Sequence, residues 1–309
     1  MKRLRYCLVN YIGVFLCTFN SLTFLPRLNA QDTKFNKSYT IACHNCFETS
    51  YASNIEEALK YTTAIELDIW DNEIGSGIIG AFAGRKMNND WYIKHSPTDR
   101  GNVNNCGCSL KGYLDKLKQW SINNPNHQPL TIFLDKKENW SGSSEARKPV
   151  DLDNLILSVF DKEKIYYPSK LKGTNNSLRE AVSKNVWDSI DSLKNKLIFI
   201  ITDATVFTQR NNALNKYLDA RSNDALCFVA PIIQSDSEIL STSGISSTNQ
   251  SSIVIYNLEH SHSQLATRIN SLNFLSRVFN APETQESVTS LLNNKVNFVA
   301  MLKYMNYNK

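Results

Sequence analysis

Two carboxylates stand where a buried strand should run. In "AIELDIWDN" (residues 64–72), Glu66 and Asp68 interrupt an otherwise apolar stretch. Side chains alternate faces along a strand, so these two project on one side while Ile65, Leu67 and Ile69 project on the other. Like charges in one small space repel unless a cation, a proton or a basic partner compensates. Further chemistry-bearing residues fall at the ends of neighbouring apolar runs: His44 and Asn45 after "SYTIAC", His95 ending "WYIKH", and Asp135 with Lys137 in "PLTIFLDKK". Asn45, Glu66, Asp68 and Asp135 offer oxygen only, which suits Ca2+, with Mg2+ second, rather than zinc. Two histidines beside such a cation suit general acid and base catalysis near neutral pH. Each residue alone has an ordinary alternative: His44 as a hydrogen-bonded core histidine, Asn45 as a turn former, Asp135 as a cap, and Asp135 with Lys137 as a surface ion pair. Their coincidence at four successive strand ends points to a site.

The elements that must position these residues recur along the chain. Apolar, β-rich runs lie at 38–43, 63–70, 91–95, 129–135, 196–203, 225–231, 252–258, 272–279 and 296–302. Most are apolar on both faces, as strands of a covered parallel sheet must be. Between several of them lie helical patterns: "SNIEEALKY" capped by Ser53, "SLKGYLDKLKQWSINN", "LDNLILSVFD" and "SLREAVSKNVWDSIDSLKN". Alternation over this length predicts an α/β fold, a distorted TIM-type (β/α)8 barrel, with a doubly wound open sheet as the alternative. Nine strands exceed eight, so 252–258 is expected as an insertion or a strand outside the barrel. In parallel α/β folds working residues sit at the carboxyl ends of strands, where these candidates fall. The Ser/Thr-rich stretch 235–252 reads as a mobile surface loop. "GSGIIG" (75–80) fits a dinucleotide-binding fingerprint, but too few residues precede the next strand for the required helix, and it reads as a glycine-rich loop that packs over the rim or dips into a lipid interface.

With 42% apolar and 20% charged residues the chain is globular. Of its 34 basic residues, Lys2, Arg3, Arg5 and Arg27 lie in the first thirty, leaving 30 against 29 acidic, so nothing suggests nucleic-acid binding. Residues 1–30 have a basic start, an apolar run and a polar end, the order of a secretory signal peptide. A secreted or periplasmic protein is therefore expected, with 31–309 a single catalytic domain lacking a transmembrane span. Export permits disulfides; Cys46, Cys106 and Cys108 in loops predict bridges between those loops, with a zinc site on Cys43, His44 and Cys46 as the rival. Cys227 reads as a buried small hydrophobe. His127 and the pair His260 and His262 read as turn and loop residues.

"CHNCFE", "AIELDIWDN", "WYIKHSP" and "PLTIFLDKK", in this order, resemble the catalytic half of phosphatidylinositol-specific phospholipase C in its secreted, calcium-dependent bacterial-type branch. The resemblance is close over about residues 38–140 and faint beyond. It implies a distorted TIM-type barrel, with His44 and His95 as the catalytic pair, and Asn45, Glu66, Asp68 and Asp135 around Ca2+. Asp135 replaces a carboxylate that is often Glu in the animal enzymes. Lys137 and Arg277, the latter in "FLSRVF", are candidate phosphate ligands, as are Lys94 and Arg85, against the alternative of solvated surface charges. The implied substrate is a phosphatidylinositol-type phospholipid met at a membrane surface by a monomer. The competing readings are a glycerophosphodiester phosphodiesterase or phospholipase D-like enzyme of the same superfamily, and a non-catalytic secreted barrel that binds lipid or protein.

Overall fold

Consecutive apolar residues form strands buried on both faces, and nine strands occur among the residues that the computed structural model describes (33–73, 90–99, 104–105, 107, 109–140, 147–204 and 209–307). They are β1 Thr40–Cys43, β2 Ala64–Trp70, β3 Tyr92–Ile93, β4 Leu130–Lys136, β5 Leu197–Asp203, β6 Phe228–Val229, β7 Ile255–Glu259, β8 Leu275–Phe279 and β9 Phe298–Met301. Every residue of β2, β4 and β5 is buried. Eight strands run parallel in the order β6-β5-β4-β2-β1-β9-β8-β7. The ring nearly closes: a bridge joins Ile232 to Asn257, whose N–H donates to the Pro231 carbonyl at 2.9 Å. Pro231, just past β6, has no N–H to extend a ladder there. The architecture is a TIM-type barrel, built within Asp32–Lys309; the segment read as a signal peptide lies outside the described residues, as do "GSGIIG" and Arg85.

Eight helices accompany the strands among the described residues: α1 Ile55–Ala58, α2 Leu110–Asn123, α3 Pro149–Val159, α4 Pro168–Lys172, α5 Leu178–Ser183, α6 Asn212–Arg221, α7 Leu265–Ser271 and α8 Gln285–Asn293. α2 shows the local logic. Ser109 caps it by accepting the Gly112 N–H at 3.0 Å, and Leu110, Tyr113, Leu114 and Leu117 form its buried stripe. The cap of α1 is Asn54, accepting from the Glu57 N–H, one residue beyond the expected Ser53.

Three expectations are corrected. The strand outside the barrel is β3, which pairs antiparallel with β2, whereas β7 lies in the ring beside β8. An apolar run buried on both faces does not reveal its partner, so the surplus strand could not be chosen from pattern alone. The long helix expected over 177–195 stops after Ser183, and Asn185 turns the chain in the left-handed region (φ 52°). There Trp187 is buried with its indole N–H on the Asn273 carbonyl, and the Asp188 carbonyl accepts the Phe35 N–H, so tertiary contacts override helix propensity. The segment 235–252 is no loose loop. It holds short 3-10 turns at Asp236–Ile239 and Gln250–Ser252, and buries Ile239, Thr242 and Ile245. Gln250 binds the Thr242 backbone in both directions.

Candidate active site

Register decides which side chains share the barrel mouth. β2 and β4 pair Asp68 with Asp135 and Glu66 with Phe133, while β4 and β5 pair Asp135 with Thr202. Side chains in register on parallel neighbours face the same way, so Asp68, Asp135 and Thr202 form one layer. Glu66 lies one layer deeper, level with Phe133, whose ring packs edge-on against Phe298 at 5.3 Å. One carboxylate oxygen from each of Glu66, Asp68 and Asp135 lies within 4.8 Å of the others, and all three residues are buried.

Two cations compensate this cluster. Arg277, 1% exposed, donates to Glu66 Oε2 at 2.6 Å and to Asn257 Oδ1 at 3.0 Å, with its guanidinium 4.9 Å from the Phe133 ring centre. The residue expected as a phosphate ligand thus lies beneath the mouth, paired with Glu66. Lys137 reaches in from just past β4: its ammonium is 3.1 Å from Asp68 Oδ2 and donates to Asp135 Oδ2. Burial alone would lower the Lys137 pKa, but Asp135, Asp68 and Glu66 push it above the ordinary lysine range. Burial would likewise raise the Asp135 carboxyl, yet Lys137 and the Thr202 hydroxyl hold it below its usual value. For Asp68 burial prevails and the pKa is raised, with Lys137 and His95 opposing.

The histidines arrive by different routes. β1 hands the chain to a tight turn in which the His44 N–H donates to the Met301 carbonyl and Asn45 adopts φ 58°. His44 Nε2 lies 3.3 Å from Glu66 Oε2. Cys43 and Cys46, flanking these residues, form a disulfide. The bridge is therefore local rather than directed to Cys106 or Cys108, which lie outside the described residues, and it removes the thiolates a zinc site would need. Cys227 is buried and free, as expected. His95, just past the two-residue β3, is half exposed, with Nδ1 3.2 Å from Asp68 Oδ2 and 3.1 Å from Asn45 Nδ2. With Asp68 ionised, Nδ1–H donates to its carboxylate; the Asn45 amide nitrogen is then a neighbour of the ring and not a donor to it, and Nε2 is left for proton exchange. The hydrogen bond to Asp68 raises the His95 pKa against the opposing effect of burial.

Oxygen donors suit a hard divalent cation, and two buried acceptors, Asp68 Oδ1 and Asn45 Oδ1, have no hydrogen-bond partner. The residues therefore fit a metal such as calcium, although Lys137 now satisfies part of the cluster. Lys94 is neither a surface charge nor placed for phosphate: it is buried, donating to the Glu73 and Pro97 carbonyls. His260 and His262 form a short 3-10 turn, and His127 binds Ser121, as turn residues would. Thr202 and Asn257, which hold Asp135 and Arg277, were not singled out from sequence, although the strand-end reasoning that found Glu66 applies equally to "IFIITD" and "VIYNLE". Glu48 escaped notice altogether; it sits near enough to His95 and Asp68 to interact with both charges, and burial raises its pKa.

Comparison with known proteins agrees with this geometry. Residues 100–237 match the family described as phosphoinositide phospholipase C, Ca2+-dependent. That segment includes Asp135 and much of the region where the motif resemblance is faint. No protein with a curated description matches the sequence. A calcium-dependent phosphoinositol-specific phospholipase C from a Gram-negative Pseudomonas species is 27% identical, with TM-score 0.81 over 90% of this chain and 93% of that one. A myo-inositol complex of the Pseudomonas protein matches with TM-score 0.80, 27% identity and the same coverage. A Ca2+-dependent phosphatidylinositol-specific phospholipase C from Streptomyces antibioticus, 18% identical, shares the fold with TM-score 0.72 over 88% of this chain and 95% of that one. The barrel, the sequence match over residues 100–237 and the acidic mouth make the chain similar to the Ca2+-dependent phosphoinositide phospholipases C and support an enzyme that cleaves phosphodiesters.

Proposed function

We propose that the protein cleaves phosphatidylinositol-type lipids to diacylglycerol and inositol 1,2-cyclic phosphate, acting as a secreted monomer at a membrane surface. The observation that carries this reading is the convergence of two imidazoles on one buried, oxygen-only cluster: His44 on Glu66 and His95 on Asp68. The myo-inositol complex of the Pseudomonas relative supports an inositol-bearing substrate. The signal-like N-terminus and the Cys43–Cys46 disulfide support export to an oxidising compartment.

Held by Asn45, Glu66, Asp68 and Asp135, calcium would lower the pKa of a bound hydroxyl and offset charge on the phosphoryl oxygens. His44, oriented by Glu66, takes the proton of the inositol 2-hydroxyl. The alkoxide forms its bond to phosphorus as the bond to the diacylglycerol oxygen breaks. His95, charged and oriented through Nδ1 by Asp68, donates its Nε2 proton to that leaving oxygen. Lys137 meets the phosphate, while Arg277 fixes Glu66 from below. With the histidines' roles reversed, water then opens the cyclic phosphate. Incubating phosphatidylinositol vesicles with the protein in calcium and in chelator, and following the phosphorus NMR signal, tests this reading. A cyclic phosphate signal in calcium alone is expected; glycerophosphoinositol, phosphatidic acid or no product would overturn it.

A further inference from the structure

Of the two cations on the acidic cluster, one is fixed and the other has a way out. Arg277 is 1% exposed, bonded to Glu66 and to Asn257, with its guanidinium 4.9 and 5.9 Å from the ring centres of Phe133 and Phe279. Lys136, the neighbour of Lys137, is fixed as well, fully buried with its ammonium 2.9 Å from Asp71 and over the Trp140 ring. Lys137 differs from both. Its side chain is 14% exposed, and its described polar partners are Asp135 and Asp68, two of the three carboxylates that a metal would take. Its stem is long and flexible, and its ammonium is well hydrated once released. A divalent cation and an ammonium sharing a cluster only 4.8 Å across would repel strongly. The lysine also leaves the site unfinished, because Asp68 Oδ1 and Asn45 Oδ1 stay buried without a partner while it is in place.

We propose that Lys137 is an internal counter-ion of the metal-free cluster, that a divalent cation displaces its ammonium, and that the displaced group then serves the substrate phosphate. This rests on the calcium-dependent reading above and adds an order to it: the phosphate site is completed only after the metal is bound. The protein accordingly keeps its three buried carboxylates compensated before calcium arrives, and trades some calcium affinity for that stability.

Accessibility of the Lys137 ammonium tests the displacement in the unaltered protein. The full chain is acetylated briefly with an amine-reactive ester in chelator or in calcium, and labelling of each lysine is read by peptide mass spectrometry while calorimetry records calcium uptake. Labelling of Lys137 should rise about fivefold or more in calcium, the low end of ordinary site-to-site coupling, while buried Lys136 and exposed Lys111 do not change. In Lys137→Met and Lys137→Gln the calcium Kd should tighten by about tenfold, since the competing cation is gone. Calcium uptake with unchanged Lys137 labelling, or with an unchanged or weaker Kd in both variants, overturns the displacement and leaves the calcium-dependent reading standing. No calcium uptake by the unaltered protein overturns both.

Discussion

At the scale of single residues, the site is a problem of compensating charge in a dry place. Three carboxylates face two positive charges, Arg277 and Lys137, with His95 adding a third when protonated. Each acid is therefore held by a specific donor: Glu66 by Arg277, Asp135 by Lys137 and Thr202, and Asp68 by Lys137 and His95. Asp68 keeps the His95 proton on Nδ1 and raises the ring's pKa, so more of the acid form is present at neutral pH than for a free imidazole. His95 is half exposed and carries little of the core, so His95→Ala should fold normally. Its turnover of phosphatidylinositol should fall by at least about 100-fold, the usual scale for loss of a general acid. Steady-state kinetics beside a thermal melt would check this, and an unchanged rate would remove His95 from the chemistry.

Among the elements, the turn after β1 does the most with the fewest residues. Four consecutive positions supply a disulfide half, a candidate base, a candidate metal ligand in the left-handed region, and the second disulfide half. A bridge closing so short a loop stabilises by only about 2 kcal/mol in the chain-entropy picture. The double variant Cys43→Ser, Cys46→Ser should therefore remain folded, with urea denaturation showing a loss of that order. Its calcium affinity should nevertheless drop, because Asn45 is no longer clamped, and calorimetry would read the change. The segment between β6 and β7 poses a stricter demand. Gly244 has φ 80°, and a Cβ there would lie 2.0 Å from the Arg210 carbonyl oxygen. Gly244→Ala should cost about 2 kcal/mol or more in urea denaturation, since both the backbone angle and the contact oppose a side chain.

At the scale of the molecule, the candidate metal ligands come from three places: the turn after β1, the strand β2 and the strand β4. They meet only in the closed ring, so calcium should bind the folded chain and not the unfolded one. With calcium at about 100 times its Kd, native-state binding adds roughly 2.7 kcal/mol. Differential scanning calorimetry in calcium against chelator should then show a melting point higher by roughly 5 °C for a chain of this size. Equal melting points would mean that the cluster takes no calcium.

The sequence alone determined the strands, the α/β alternation that favours a barrel, and the histidines and carboxylates brought to its mouth. These are written in local pattern: runs apolar on both faces, charged residues confined to strand ends, and the His-Asn and Glu-x-Asp pairs. It did not determine pairing, because a strand carries no label for its neighbour. Hence β3 and β7 exchanged places, and a helix expected over 177–195 was cut short so that Trp187 could pack. The disulfide also fell between two cysteines three apart, although the pattern pointed to a more distant partner. Tertiary structure alone decided the charge partners, since Glu66 and Arg277 are 211 residues apart and only ring closure brings them within 2.6 Å. For the same reason Arg277 reads as a mouth residue in the sequence and lies under the acids in the fold, and Lys137 fills the space between Asp68 and Asp135. Local chemistry selects which groups a site has; burial and register decide which of them touch.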